Sequence, residues 1–223
     1  AMTDAKWQSA GKGFFIYDCA VRSADIFSFL LLEDKDYAAG GDKRLLTYVP
    51  HDSEDRLYWT TYEGFDGPKL IASAAPKNQA LMVSRDNSVA AFGGGDDDME
   101  QDIPKEALLA CFNLASIEGH VYAVGPWRTV GKRLGPHAWE SLVGDRSTLP
   151  LPPKVHGPFS DGGFDAIAGF SETDIYCVGG KGDAWRYDGT RWHVCPVGTD
   201  MQFWSVCCAG DGLVYIGMQS GCV

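Results

Sequence analysis

Apolar and polar positions alternate along this chain in short runs separated by glycine-rich turns, most clearly between residues 164 and 195. Residues 165–170 read as a first strand and 171–174 as a polar turn. Residues 175–178 then form a second strand, short and almost wholly apolar, as expected where both faces are covered. Gly179, Gly180 and Gly182 permit a turn through positive φ, and 183–187 is a third strand. Asp188-Gly189 is a two-residue hairpin signal. It leads into a fourth strand, 191–195, with Trp192 and Val194 on one face and Arg191 and His193 on the other.

This unit recurs. Residues 203–217 repeat the pattern of 164–178 at a spacing of 39, keeping Phe164 as Phe203 and Tyr176 as Tyr215. A period near 40, with several short strands in each unit, is the signature of a β-propeller. Other stretches fit the same pattern: 111–115 with 120–125 and a strand carrying Trp139, 80–83 with 88–95, and 45–49 with 56–62. A proline-rich loop, 147–163, accounts for the 54 residues between Tyr122 and Tyr176. Residues 14–21 read as a lone first strand. Only 103–109 suggests a helical turn, with Pro104 at its first position.

The expectation is an all-β fold, a β-propeller of four-stranded antiparallel blades, four or five in number, forming one domain over residues 3–223. The blade-like units fall near 22–66, 67–106, 107–146, 160–197 and 200–223. The last unit stops halfway through the repeat. Either the amino-terminal segment, 7–21, completes it and closes the ring, or the chain is a piece of a larger propeller. An open ring would leave strand edges that invite aggregation.

Composition narrows the function classes. Of 223 residues, 45% are hydrophobic and 12% aromatic, enough for a large packed core. The longest apolar run, 26–32, is interrupted by Ser28 and too short to span a bilayer. No basic segment leads into an apolar run and a cleavage site, so no secretory signal is read. Ala1 ahead of Met2 reads as a residue left from cloning. The seven cysteines are odd in number, scattered and without a Cys-x-x-Cys pair. Cys177, Cys207 and Cys208 lie in apolar strand patterns and are expected as buried packing residues of a reducing compartment, the cytoplasm. The net charge of −11 argues against nucleic acid and suits a basic protein partner or plain solubility.

The stretch Asp174-Ile-Tyr-Cys-Val-Gly-Gly-Lys-Gly-Asp-Ala-Trp-Arg-Tyr-Asp-Gly-Thr-Arg-Trp192 resembles a bacterial β-propeller repeat, and its Gly-Gly, aromatic, Trp order is similar to the kelch arrangement. The likeness covers about one blade well and a second more loosely. Proteins with such repeats include immunity partners of secreted bacterial toxins. The resemblance therefore implies a non-enzymatic protein that binds and occludes a toxin effector, a basic nuclease being the leading candidate.

No residue pattern specifies catalysis. Residues 217–221 lack nucleophile-elbow spacing. Residues 53–59 imitate a sialidase-type turn, but Leu57 stands in place of glycine and the Trp comes one place early. The five histidines form no ligand pair, and no phosphate loop is present. No catalytic residue, metal ligand, cofactor or membrane contact is expected. Two places stand out as partner contacts. Asp96, Asp97, Asp98, Glu100 and Asp102 follow three glycines; Gln101 and Ala107 spoil a calcium loop, leaving a solvated acidic loop or a surface for a basic partner. Trp127-Arg128, after Gly125-Pro126, would be an interface anchor if exposed and simple packing if buried. Other tryptophans are expected between blades. Alternative readings are a hydrolase or lyase using the central channel and a carbohydrate-binding propeller.

Overall fold

The computed structural model describes residues 4–35, 41–50, 56–144, 146–152 and 162–223. The chain divides into two compact units, Ala1–Gln101 and Asp102–Val223.

The first unit opens with α1 (Asp4–Gly11), followed by β1 (Phe14–Ser23), β2 (Ile26–Glu33), β3 (Lys43–Val49) and β4 (Arg56–Tyr62), an antiparallel sheet in chain order. A second four-stranded sheet follows: β5 (Lys69–Ser73), β6 (Gln79–Val83), β7 (Val89–Gly93) and β8 (Asp96–Met99). Leu30, Leu45, Ala80, Met82 and Ala90 are fully buried in the core that these sheets share. The first strands β1 and β5 lie side by side, and Asp18 accepts the Leu70 amide at 3.1 Å.

The second unit holds β9 (Asn113–Ile117), β10 (His120–Gly125), β11 (Thr129–Gly135) and β12 (Ala138–Ser141), then β13 (Ala166–Ser171), β14 (Asp174–Gly179), β15 (Asp183–Tyr187) and β16 (Trp192–Val194). Two more strands, β17 (Phe203–Cys208) and β18 (Val214–Met218), pair with each other. First strands again adjoin, β9 beside β13 and β13 beside β17. Phe164 stacks on Trp192 at 6.0 Å within a core that includes Tyr122, Val124, Val130, Ile175 and Cys177.

The repeated glycine has a physical cause here. A Cβ on Gly125 would stand 1.9 Å from the Ala110 carbonyl oxygen, and one on Gly179 would stand 2.2 Å from that of Gly163. Each glycine lets the segment entering its own sheet pass against the second strand. There Phe112 donates to Val124 and Asp165 to Val178, both at 2.8 Å. No side chain fits in that gap.

Three local differences from the sequence reading stand out. Residues 14–21, read as a lone first strand, are part of a four-stranded sheet. Phe14–Ser23 pairs with its chain neighbour β2, from Phe14 against Glu33 to Ser23 against Ile26, because a short turn brings the two strands together at little entropic cost. The acidic run, read as a loop, is instead carried on outer strand β8, where the left-handed glycines Gly93, Gly94 and Gly95 turn β7 back on itself (φ 101°, 68° and 90°). Finally, α1 had no counterpart in the sequence reading. The helical turn at 103–109 is present as a single turn in which Pro104 accepts from Ala107 and Leu108. Residues 53–55 of the sialidase-like stretch, His51, His156, Pro153 and Pro158 lie outside the described residues.

Candidate functional site

The first sequence-singled surface is the β7–β8 hairpin. Gly93 opposes Asp96, Ala91 opposes Asp98, and the ladder continues as the Glu100 amide donates to Val89 at 2.9 Å. Asp98 and Asp102 are exposed. Glu100 is 8% exposed, so it faces packing rather than solvent. The run is therefore divided between surface and interior. No group of three His, Cys, Asp or Glu residues able to hold a metal occurs among the described residues.

The second is Trp127-Arg128. Both residues adopt left-handed backbone (φ 59° and 55°) at the β10–β11 turn, which is tied at several points. The Trp127 amide donates to Gly162 at 3.1 Å, and its carbonyl accepts Arg146 Nη1 at 3.0 Å. Trp127 is half-buried. Arg128, 7% exposed, reaches into the next sheet. Its Nε and Nη2 each donate to the Asp183 carboxylate at 2.8 Å, and its Nη1 donates to the Pro150 carbonyl at 2.6 Å. The guanidinium lies 4.8 Å from the Trp185 ring, whose Nε1 also donates to Asp183, at 2.7 Å. A planar fork matched to a carboxylate in a largely buried seam ties two blades together. The same bond occupies Asp183 of the Gly-rich turn, while Lys181 beside it stays exposed.

Further polar networks escaped the sequence reading because their members are distant in the chain. Arg22 Nε donates to Asn78 Oδ1 at 3.0 Å and its Nη2 to the Asn78 carbonyl at 2.7 Å, linking the first two sheets. Glu172 is held by Lys132 at 3.0 Å and His120 at 2.7 Å, while its own amide donates to Glu118 at 2.8 Å. Partial burial opposes ionisation of Glu172, but the Lys132 and Tyr122 hydrogen bonds outweigh it and hold its carboxyl below the usual range. Burial, reinforced by Glu172, pushes the Tyr122 phenol well up. The Asp188-Gly189 turn spans four residues rather than two, Tyr187 pairing with Trp192. Asp188 caps it by accepting from Thr190, Arg191 and His193.

Exposed apolar side chains mark other surfaces. Trp185 and Trp192 are buried between blades as expected, but Trp59 and Trp204 are 41% and 59% exposed. All seven cysteines are free; Cys111 and Cys177 are buried, whereas Cys207 faces solvent. Strand alternation explains the contrast, since β17 is covered on one face only. Along β18 runs an open groove of about 310 Å³, lined by Val197, Phe203, Val214, Tyr215, Ile216 and Met218 among others. No helix among the described residues is long and apolar enough to cross a membrane.

Blades of antiparallel strands, joined in series with their first strands adjoining, define the class: the fold is a β-propeller. Two solved structures share it. YCF48 from Cyanidioschyzon merolae matches with a TM-score of 0.51 at 10% identity, over 91% of this chain and 77% of its own. YCF48 bound to D1 peptide matches with a TM-score of 0.52 at 12% identity, over 93% and 76%. At such identities the likeness concerns the fold alone. No family model matches the sequence. One curated relative is similar in sequence: Immune protein Tsi7 of Pseudomonas aeruginosa, 36% identical over 151 residues, which cover 66% of this chain and 47% of that protein. The chain thus spans about half the length of the curated relative it matches.

Proposed function

We propose that this propeller is an immunity protein, acting in the cytoplasm by binding a bacterial toxin and covering its active site. The observation that carries the reading is the 36% identity to Immune protein Tsi7 over 151 residues. Its physical character agrees. A propeller offers rigid turns on a preorganised frame, which limits the ordering cost of protein recognition. A net charge of −11 would speed encounter with a basic partner, such as a nuclease with a groove shaped for phosphates. The exposed carboxylates Asp98 and Asp102 are candidates for steering that encounter, and half-buried Trp127 for a contact at its rim.

The test is co-expression with candidate toxin effectors, basic nucleases first, scored as cell survival and as a complex on gel filtration. Survival with a complex whose association slows at high salt is the expected result. Toxicity undiminished by the chain would end the reading.

Carbohydrate binding has one observation in its favour, the exposure of Trp59 and Trp204. Trp fluorescence unchanged across a glycan set would dispose of it.

A further inference from the structure

A cavity of about 350 Å³ opens in the first unit, and every described residue lining it falls between Leu32 and Asp86, within the two four-stranded sheets of that unit. Its walls are tied in place. On one side, where β2 and β3 end together, the Glu33 amide donates to the Asp42 carbonyl at 3.0 Å and the Asp42 amide to Glu33 Oε2 at 3.1 Å. On the other, the Arg85 amide donates to the Asp66 carbonyl at 2.8 Å and joins the β4–β5 connection to the β6–β7 turn. The floor is apolar. Leu32, Phe65 and Pro68 are buried, and Phe65 meets Tyr62 edge-on at 5.8 Å. Phe65 takes left-handed backbone (φ 54°), uncommon for an aromatic residue, and the packing of its ring in the shared core holds it there.

Charge divides the cavity into two poles. On the β2–β3 wall stand Lys35, Lys43 and Glu33, two cations and one anion. Lys35 already holds the Glu33 carboxylate, at 2.5 Å. Lys43 is 8% exposed, and its Nζ donates to the Gly41 carbonyl at 2.5 Å. An ammonium carries three N–H groups, so that carbonyl leaves donors for a ligand. On the other wall stand Asp66 and Asp86, both exposed, with Asp86 accepting from the Ser84 hydroxyl. The inner pole is positive and the open pole negative. A simple anion would meet the two aspartates, and a simple cation would meet Lys43, each at a cost in like-charge repulsion. The volume lies near the lower end of small-molecule sites, about 300–1,000 Å³, which suits a ligand the size of one or two amino acids.

The structure assigns this cavity to a small zwitterion of the amino-acid or dipeptide class, its carboxylate against Lys43, its ammonium against Asp66 and Asp86, and an apolar side chain on Leu32, Phe65 and Pro68. The site stands apart from the immunity reading and holds with or without a toxin partner. A bound ligand touches all three connections at once, so occupancy stabilises the folded chain by mass action. The buried ammonium supplies the selectivity for a free carboxylate, because a ligand without one displaces water and leaves Lys43 donors unmatched.

The experiment uses the full chain with leucine, glycyl-leucine and leucyl-glycine as probes, read by titration calorimetry and by melting temperature. Saturable binding of at least one probe, with a melting temperature that rises as it is added, is the expected result. Blocked forms of the same probe separate the poles. Acetylation of its amine removes the ammonium, and amidation of its acid removes the carboxylate. Each should weaken binding about tenfold or more, the loss of one hydrogen bond to a charged group. In the protein, Asp66→Asn at an exposed position should weaken binding several-fold and leave the melting temperature of the unliganded chain unchanged. Lys43→Met keeps the apolar stem and should weaken binding further; should that variant fold poorly, the amidated probe tests the same pole. No saturable binding by any of the three probes overturns the proposal. So does a blocked form that binds as tightly as its parent, which reduces the cavity to an apolar hole. Undiminished binding by both variants also overturns it, since the ligand then sits elsewhere on the propeller.

Discussion

Two blades of this propeller share one sequence unit and reach different ends. Residues 164–178 and 203–217 repeat at a spacing of 39, and both begin on a fully buried phenylalanine. In the fourth sheet, β14 is flanked by β13 and β15, and Ile175, Cys177 and Val178 are buried. In the fifth, the counterpart strand β18 is half-exposed along its length, and Tyr215 reaches solvent. The repeat specifies strand and turn; burial comes from the neighbours. It follows that equivalent substitutions should have unequal costs in the two blades, and that the seams around the fourth sheet should dominate stability.

The largest effect is expected at the seam between the third and fourth sheets. Arg128→Ala removes a guanidinium that meets Asp183 through two bonds of 2.8 Å and leaves that largely buried carboxylate without its cation. Loss of one partner of a buried pair costs about 3–5 kcal/mol. Chemical denaturation should show that loss, and Arg128→Ala combined with Asp183→Ala should recover part of it. Equal stability of the single variant and the parent would mean that the blades are held by apolar packing alone.

Gly179→Ala probes the backbone of the same blade. Its Cβ would fall 2.2 Å from the Gly163 carbonyl oxygen and 2.8 Å from the Asp165 amide nitrogen, both backbone atoms with little room to yield. A cost of about 1–3 kcal/mol is expected from overpacking. At Gly212, by contrast, nothing lies within 4 Å of an added Cβ, and only its left-handed φ of 82° resists substitution. Gly212→Asn, a residue that tolerates that conformation, should therefore melt close to the parent.

A matched pair of truncations sharpens the comparison directly. Ile175→Ala opens a hole in a fully buried position and should cost about 2–5 kcal/mol, whereas Val214→Ala, at the half-exposed counterpart, should cost less than about 1 kcal/mol. Equal costs would show that β18 is covered in solution.

The same contrast explains what the sequence could reveal. The strands from 165 to 195 were legible because their signals are local: period-two apolar positions, glycines at turns and an Asp-Gly dipeptide. What the sequence hid is non-local. Arg128 and Asp183 are 55 residues apart, and nothing in either neighbourhood names the other. Helix α1 has no apolar stripe of its own; it is held by Ala10 against Leu31 and Leu46, by Trp7 set edge-on to Phe29 at 6.3 Å, and by Arg44 donating to the Ala10 carbonyl at its last turn. Strand β8 is built of aspartates, poor strand formers, and forms because three glycines and the β7 ladder fix its path. The candidate contacts divided the same way. Asp98 and Asp102 lie on the surface as their charge suggests, while Glu100 and Arg128 are drawn inward by packing that a linear pattern does not contain.

The smallest effect expected lies at the fourth blade's outer turn and is read by pH. Asp188 is held far below the ordinary carboxylate range, first by its hydrogen bond to His193 at 2.6 Å, then by the backbone and side-chain donors of Arg191 and Thr190. A depressed folded-state pKa means that the unfolded chain binds the proton more tightly. The turn's contribution is therefore complete above the unfolded value, about 4 for an aspartate, and is lost as pH falls through the folded one. Asp188→Asn should lower the melting temperature modestly at neutral pH, and the gap to the parent should close progressively below about pH 4. The group is exposed to solvent, so added salt should shrink the gap as well. A gap that held constant from neutral to strongly acidic pH would show that the carboxylate charge of Asp188 contributes nothing to the turn.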